Sequence, residues 1–168
     1  PAADTESVLV DSERERASRF AFERDRHRYV RARHALRCLL GQYLGTAPRH
    51  VSILFNAHGK PELEPGANLT FNLSHSGDRG LLAIGRAAEI GIDIEAMKLP
   101  ADVRRLAQSV FSADETRALD AVPEDALSVP FFTCWTRKEA YLKAIGVGLT
   151  VGPKSVTVGT EPERRRIC

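Results

Sequence analysis

The sequence predicts an α+β fold. A stretch with helical periodicity is followed by segments of strand character, and this order occurs twice along the chain. The 168 residues, 43% of them hydrophobic, suffice for one domain or two small lobes with a buried core. No sequence repeat relates the two halves, and no low-complexity linker separates them. The prediction of an α+β fold therefore rests on the repeated order of helix and strands.

The first half opens with a long helix. Asp11 or Ser12 can cap its beginning, a break is predicted near Phe22, and Gly45 is placed to end it. Its apolar face consists of side chains spaced three and four residues apart. They are Tyr29, Ala32, Leu36, Leu39, Leu40 and Tyr43.

Strands and shorter helices follow. Strands are predicted at 51–55, 69–73 and 81–84, with turn residues at 56–61, and residues 90–95 alternate between apolar and charged. In the second half, helices are predicted at 101–111, from Ser112 onward, where Glu115 completes a capping box, and at 130–145. Strand character returns at 149–158.

Composition narrows the class of protein. No run approaches the roughly 18 apolar residues of a membrane span, and the first residues do not resemble a signal segment. A soluble, cytoplasmic protein without membrane contact is expected. The cysteines have no zinc-site or disulfide spacing, so buried free thiols are favoured. They are Cys38, Cys134 and Cys168.

An acidic pair lies near the middle of the chain, in Gly91-Ile92-Asp93-Ile94-Glu95. On a strand, residues two apart leave the same face, so Asp93 and Glu95 point together while the isoleucines enter the core. Two neighbouring carboxylates are stabilised by a cation, and oxygen ligands favour magnesium. The alternative is an ordinary strand with a solvated acidic face.

A second charged pair lies on the predicted final helix. Glu139 and Lys143 are one turn apart and share a face. An exposed salt bridge is the ordinary explanation of this spacing. Phe132 and Trp135, however, indicate a partly buried helix. A third metal-binding carboxylate and a phosphate-binding lysine are therefore plausible on this face.

Two turn segments are weaker candidates. His75 lies between Ser74 and Ser76 where a strand meets a turn, and imidazole can accept a proton or, when charged, bind phosphate. Lys60 follows Gly59 in a tight turn that presents one cation. A structural or solvated role is the alternative for each.

Together these segments resemble the Sfp-type 4'-phosphopantetheinyl transferases. The family's four motifs occur in order, as Gly-Lys-Pro at 59–61, Phe-Asn-Leu-Ser-His-Ser at 71–76, Gly-Ile-Asp-Ile-Glu at 91–95 and Trp-x-x-Lys-Glu-x-x-x-Lys at 135–143. The arginine-rich opening helix is also similar to that of the family. The order and spacing of the motifs are more specific than any one of them.

The resemblance implies a site for magnesium and coenzyme A. Asp93, Glu95 and Glu139 would hold magnesium, and Lys143 would bind the pyrophosphate of coenzyme A and stabilise the leaving phosphate. Glu139 would act either as the base for the attacking hydroxyl or solely as a metal ligand.

The same resemblance implies contacts to the nucleotide end of coenzyme A. Ser74 and His75 would contact the 3'-phosphate side, and Lys60 would border the adenine nucleotide. Arg16 and Arg28 of the opening helix would hold the phosphates.

The implied activity is transfer of 4'-phosphopantetheine from coenzyme A to a serine of an apo acyl or peptidyl carrier protein, with release of adenosine 3',5'-bisphosphate. The implied fold has two pseudo-twofold-related lobes, 1–92 and 93–168, each with a small antiparallel sheet and a long helix. The active site would lie at their interface, and a monomer is expected because one chain supplies both lobes. Similar chains continue beyond the segment at 151–158, so a truncated second lobe and an unusually short member look alike here.

Two other classes remain as alternatives. Between residues 14 and 37 the chain has nine arginines, a basic stripe that could bind nucleic acid. Its five neighbouring acids and few aromatics argue against that function. The second alternative is a scaffold that binds carrier proteins without catalysis, against which the intact acidic and lysine residues speak.

Overall fold

The computed structural model describes residues 5–86, 89–147 and 152–162. Helices and strands occur there in the order α1 (Asp11–Ser18), α2 (Glu23–Leu44), β1 (Ile53–Phe55), β2 (Pro61–Leu63), β3 (Thr70–Ser76), β4 (Arg79–Gly85), α3 (Val103–Val110), α4 (Ala113–Asp120) and α5 (Ser128–Ile145). β1 pairs with β2, and β3 pairs with β4. The predicted α+β class is confirmed.

The chain forms two compact units. The first comprises Pro1–Leu54 and Glu62–Ala67, and the second comprises Phe55–Pro61 and Asn68–Cys168. The lobes expected at 1–92 and 93–168 are a different division and stay a prediction. Within the described residues, no helix combines the length and the apolar character that crossing a membrane requires.

The opening helix of the first unit is broken as predicted. α1 and α2 are separated by residues 19–22, and α2 ends at Gly45, whose φ of 65° is the left-handed conformation that glycine adopts most easily. The capping residue is wrong, because α1 follows Val10. The Glu13 carboxylate accepts a hydrogen bond from the Val10 N–H at 3.2 Å, so Asp11 lies within the helix.

The buried face of α2 matches the predicted apolar face only in part. Leu36 and Leu40 are buried as predicted, but Tyr43 is 59% exposed and Arg37 is 2% exposed. The cause is Glu13, which points inward and accepts hydrogen bonds from the Nε atoms of Arg33 and Arg37, each at 2.6 Å. Because a buried carboxylate requires partners, two arginines of the basic stripe occupy buried positions on α2.

The second unit begins with the β3–β4 hairpin. Thr70 pairs with Gly85 and Ser76 with Arg79, so both predicted strands are confirmed and extend further than expected. β2 was not predicted, and its first residue, Pro61, is the last residue of the predicted turn. Residues 89–102 contain neither a helix nor a strand, so the acidic run is not a strand of a sheet.

The remaining helices of the second unit enclose its core. α3, α4 and α5 agree with the predicted helices, and the capping box of Ser112 and Glu115 is confirmed by reciprocal hydrogen bonds of 2.8 and 3.3 Å. The ring of Phe131 is tilted against that of Phe111 and stacked on that of Trp135, with ring centroids 5.4 and 5.8 Å apart. The buried hydrophobic residues of this core are Val103, Ala107, Val110, Phe111, Leu119, Leu127, Phe131, Cys134 and Val158.

A buried ion pair fixes the last described segment. Lys138 and Glu115, 1% and 2% exposed, lie 2.7 Å apart. The Lys138 ammonium also donates to the Pro153 carbonyl, and Glu115 accepts from the Val158 N–H. Because side chains satisfy these backbone groups, residues 152–158 form a 3-10 turn and irregular structure, and the predicted strand is wrong there. Residues 149–151 of that prediction lie outside the described residues.

The cysteine prediction is confirmed in part. Cys134 is a buried free thiol, and Cys38 is a free thiol of intermediate exposure. Cys168 lies outside the described residues.

Candidate active site

The acidic segment passes alongside β3 in the second unit, and its two carboxylates both turn toward that strand. The Ser74 hydroxyl donates to Asp93 Oδ1 at 2.7 Å. The Ser76 hydroxyl donates to Glu95 Oε2 at 2.9 Å. Asp93 and Glu95 therefore share one direction, although the segment that carries them is not a strand.

Lys143 of α5 approaches the same carboxylate. Its ammonium nitrogen lies 2.5 Å from Asp93 Oδ1 and 3.1 Å from Ser74 Oγ. The side chain of Asp93 is only 3% exposed and that of Lys143 is 30% exposed. The pair is therefore partly shielded from solvent, where a charge interaction is stronger than on an open surface.

Glu139 lies one turn before Lys143 on α5 and is half-buried. Burial raises the pKa of Glu139 above its usual value, the Lys143 charge opposes this increase, and the Asp93 and Glu95 charges add to it. The charges of Asp93, Glu95 and Lys143 therefore all act on Glu139, and these four residues are called the acidic cluster below.

The cluster fits an oxygen-bound cation. Asp93 Oδ2 is buried and has no hydrogen-bond partner within the described residues. A buried carboxylate oxygen without a donor is costly unless a cation approaches it. In the arrangement of the described residues, no three acidic, histidine or cysteine side chains form a ready-made metal site. Carboxylate oxygens are donors that magnesium prefers, and magnesium typically takes few protein ligands and keeps several waters.

Lys60 lies beside a small cavity in the second unit. Its ammonium group donates to Glu89 Oε2 and to the Ala144 carbonyl, both at 2.7 Å, so it satisfies a carbonyl near the end of α5. The cavity has a volume of about 240 Å³. Its lining includes Lys60, Lys143 and Asn72. This volume is below the roughly 300–1,000 Å³ typical of complete ligand pockets.

The other predicted residues have different surroundings. Ser74 is buried and already bonded to Asp93, whereas His75, the next residue of β3, is exposed. Arg16 and Arg28 belong to the first unit. Arg16 lies over the ring of Tyr29, 5.5 Å from its centroid, and Arg28 donates to a carboxylate oxygen of Asp25, its neighbour on α2.

Three residues lie within the quoted motifs, but the sequence analysis assigned them no role. Asn72 and Ser76 bind the acidic segment, and Lys138 is the buried lysine that anchors α5 to the segment after it. Polar residues at 72, 74 and 76 alternate within β3 beside buried Phe71, and this period of two was the available signal. Lys138 is the first lysine of the motif at 135–143, but its helical spacing did not indicate that it is buried.

Both halves of the chain match models of one protein family. Residues 3–86 match the model described as 4'-phosphopantetheinyl transferase, N-terminal, and residues 89–167 match the 4'-phosphopantetheinyl transferase superfamily. The chain belongs to the 4'-phosphopantetheinyl transferase superfamily, in agreement with the motif resemblance.

Curated relatives agree with this assignment. The chain is 39% identical over 149 residues to the 4'-phosphopantetheinyl transferase HetI of Nostoc sp. strain PCC 7120, covering 87% of this chain and 63% of that protein. It is 42% identical over 110 residues to AcpT of Escherichia coli K12, covering 66% and 55%. It is 34% identical over 141 residues to psf-1 of Bacillus pumilus, covering 84% and 59%. The chain thus spans between 55% and 63% of the length of these relatives.

Proposed function

We propose that this chain transfers the 4'-phosphopantetheine arm of coenzyme A to a serine of an apo acyl or peptidyl carrier protein. The observation that carries the proposal is the cluster of Asp93, Glu139 and Lys143, in which one buried carboxylate oxygen has no donor among the described residues. Family membership supplies the reaction class. The protein acts as a cytoplasmic monomer in this proposal.

Magnesium is the proposed cofactor. Asp93, Glu95 and Glu139 would hold it, and the buried Asp93 Oδ2, which has no hydrogen-bond partner among the described residues, supports this proposal. When bound, the ion would neutralise charge on the pyrophosphate and orient its oxygens. Proton transfer, stabilisation of the leaving phosphate and binding of the nucleotide are assigned to the side chains of the chain and to its cavity.

Glu139 is the proposed base. The carrier serine oxygen forms a bond to the β-phosphorus of coenzyme A, its proton passes to the Glu139 carboxylate, and the bond from that phosphorus to the bridging oxygen breaks. Adenosine 3',5'-bisphosphate leaves with the electron pair of that bond. Glu139 lies one turn before Lys143 on α5, so it would accept this proton beside the group that is proposed to stabilise the leaving phosphate.

Lys143 and the cavity are proposed to hold the other groups. The Lys143 ammonium would stabilise negative charge on the leaving phosphate, since it already belongs to the acidic cluster. Lys60 would border the adenine nucleotide, and this role is supported by the cavity that Lys60 lines together with Lys143. His75 would bind on the 3'-phosphate side, and Ser74, whose hydroxyl donates to Asp93, would border that side without donating to the phosphate. Arg16 and Arg28 would bind phosphate.

Binding of a carrier protein without catalysis is the second candidate function. The buried Asp93 and its lysine partner speak against it, because a scaffold gains nothing from a desolvated charge cluster. Nucleic-acid binding is not proposed, because Arg33 and Arg37 of the basic stripe are buried against Glu13.

The test is mass spectrometry of the carrier. Several apo acyl and peptidyl carrier proteins are mixed with the folded chain, coenzyme A and magnesium. A carrier mass increased by one phosphopantetheine, absent when the carrier serine is replaced by alanine, supports the transferase. Binding of a carrier without any mass change would favour the scaffold.

A further inference from the structure

Ser74 uses its full hydrogen-bonding capacity at the acidic segment. A serine hydroxyl has one donor hydrogen and two acceptor lone pairs. Ser74 Oγ donates to Asp93 Oδ1 at 2.7 Å and accepts from the Ile94 N–H at 3.3 Å and from Lys143 at 3.1 Å. The serine thus binds a carboxylate and the N–H of the residue that follows it.

Ser76 repeats this arrangement two residues further on. Its hydroxyl donates to Glu95 Oε2 at 2.9 Å and accepts from the Ala96 N–H at 3.0 Å. The sequence separations equal those of Ser74, with 19 residues to the carboxylate and 20 residues to the N–H. Two successive serines on one face of β3 therefore hold two successive acids in register.

Asn72 forms the first member of the same series. Its amide oxygen accepts from the Ile92 N–H at 3.0 Å, again 20 residues away. The residue preceding Ile92 is Gly91, where a Cβ would overlap the backbone of α5 at Ala140 and Ala144. Because Gly91 carries no carboxylate, Asn72 needs only an acceptor for the Ile92 N–H, and its amide oxygen supplies it. The missing side chain of Gly91 also allows the segment to pass close against α5.

These bonds replace a backbone ladder. Residues 89–102 form no strand, so the side chains of β3 fix the register of the acidic segment. The side chains at 72, 74 and 76 lie on one face of β3, and N–H groups two residues apart in an extended segment match their spacing. A hydroxyl bonded to an ionised carboxylate also restricts which way that carboxylate points.

We infer that Ser74 and Ser76 are positioning residues that orient the Asp93 and Glu95 carboxylates toward the magnesium ion. This inference rests on the proposed function. Ser74 and Lys143 both engage Oδ1 of Asp93, which leaves the buried Oδ2 for the cation. Ser76 would act on the ion only through its hydrogen bond to Glu95. Replacement of Ser76 therefore tests the positioning of a metal ligand without removing any ligand.

The experiment compares Ser76→Ala with Ser76→Thr and Ser76→Val. Threonine and valine have nearly the same shape, and only threonine keeps the hydroxyl. Ser109→Ala, which removes an exposed serine of α3 bonded to the Leu106 carbonyl, is the matched control. Binding of Mn²⁺, a paramagnetic substitute for Mg²⁺, is measured from the electron paramagnetic resonance signal of the free ion, and the transfer rate is measured separately.

The alanine and valine variants should weaken Mn²⁺ binding by about tenfold, as for other outer-sphere partners of metal ligands, and the threonine variant should retain it. The magnesium concentration for half-maximal transfer should rise in parallel. Equal Mn²⁺ affinity in Ser76→Val, Ser76→Thr and Ser109→Ala would overturn the inference. If the wild-type chain still modified the carrier, the proposed function would stand. A wild-type chain that neither bound Mn²⁺ nor modified a carrier would overturn both.

Discussion

The ammonium nitrogen of Lys143 lies 2.5 Å from Oδ1 of Asp93, and the other oxygen of that carboxylate is buried without a hydrogen-bond partner in the described part of the chain. One oxygen of the Asp93 carboxylate is thus paired with an ammonium group, and the other oxygen has no positive partner among the described residues. A cation bound at Oδ2 would carry the remaining positive charge that Asp93, Glu95 and Glu139 require together.

Replacement of Asp93 by asparagine should lower turnover by roughly a hundredfold or more, as for the loss of transition-state charge stabilisation. The side-chain shape is kept, so folding should survive. Steady-state transfer rates over a magnesium titration provide the measurement. Asp102→Asn, at the exposed residue that precedes α3, is the control and should keep the wild-type rate. Near-normal turnover of Asp93→Asn at all magnesium concentrations would show that Asp93 does not hold the metal.

Replacement of Lys143 by alanine should reduce kcat more than it raises the KM for coenzyme A. The reason is that negative charge grows on the leaving phosphate in the transition state, so the lysine contributes more there than in the ground state. Initial rates over a range of coenzyme A concentrations separate the two constants. Lys154→Ala, at an exposed position, is the matched control. A change in KM alone would mean that Lys143 binds substrate and transition state equally.

Glu115 should make the stability of the second unit dependent on pH. Burial alone would raise its pKa, but hydrogen bonds from Lys138 and from the N–H groups of Ser112, Val158 and Gly159 lower the pKa to about 2 from an unperturbed 4.5. A lowered folded-state pKa gives stability that is present above the unfolded value and lost as the pH falls. On the order of 3 kcal/mol should therefore disappear between about pH 5 and pH 2.

Urea unfolding at a series of pH values measures this loss. Glu115→Gln should be less stable than the wild type at pH 7 by about 3 kcal/mol or more, because Lys138 stays buried without its partner, and its stability should fall less on acidification. Asp114→Asn, at the exposed neighbouring position, should retain the wild-type pH dependence. Parallel pH profiles for Glu115→Gln and the wild type would contradict the linkage.

Replacement of Gly91 by alanine should destabilise the protein by about 1–3 kcal/mol, because the new Cβ would overlap the backbone of α5 at Ala140. It should also reduce transfer, since Asp93 would be displaced with the segment. Gly80→Ala is the matched control, because its Cβ would meet its nearest neighbour at an ordinary 3.7 Å. Chemical unfolding of both variants gives the comparison, and equal stability would mean that the segment does not pack as closely as described.

Helix positions were predicted well from the sequence because they depend on local signals. The capping box of Ser112 and Glu115 and the glycine that ends α2 act within a few residues of themselves. The burial of Arg33 and Arg37 on α2 was not predictable in this way. It depends on Glu13, which lies 20 residues from Arg33 in the chain and binds it in the folded state.

The candidate site shows the same limit. Motif spacing drew attention to Asp93 and Lys143, which are 50 residues apart and meet in the folded chain. The sequence pattern of 90–95 suggested a strand, but the segment is held by the side chains of Asn72, Ser74 and Ser76. Hydrogen-bond partners of this kind depend on tertiary register, which the alternation of apolar and charged residues does not specify.

The transfer rate of Glu139→Gln tests the central claim most directly, because Glu139 is proposed both to hold the metal and to accept the serine proton. The measurement is the rate of phosphopantetheine addition to one apo carrier protein by intact-mass spectrometry, with Glu64→Gln, at an exposed position, as the control. The proposed mechanism predicts that Glu139→Gln is at least about a hundredfold slower than the wild type and that the control is unchanged. A Glu139→Gln variant that modified the carrier at the wild-type rate would contradict the assignment of this cluster as the catalytic centre.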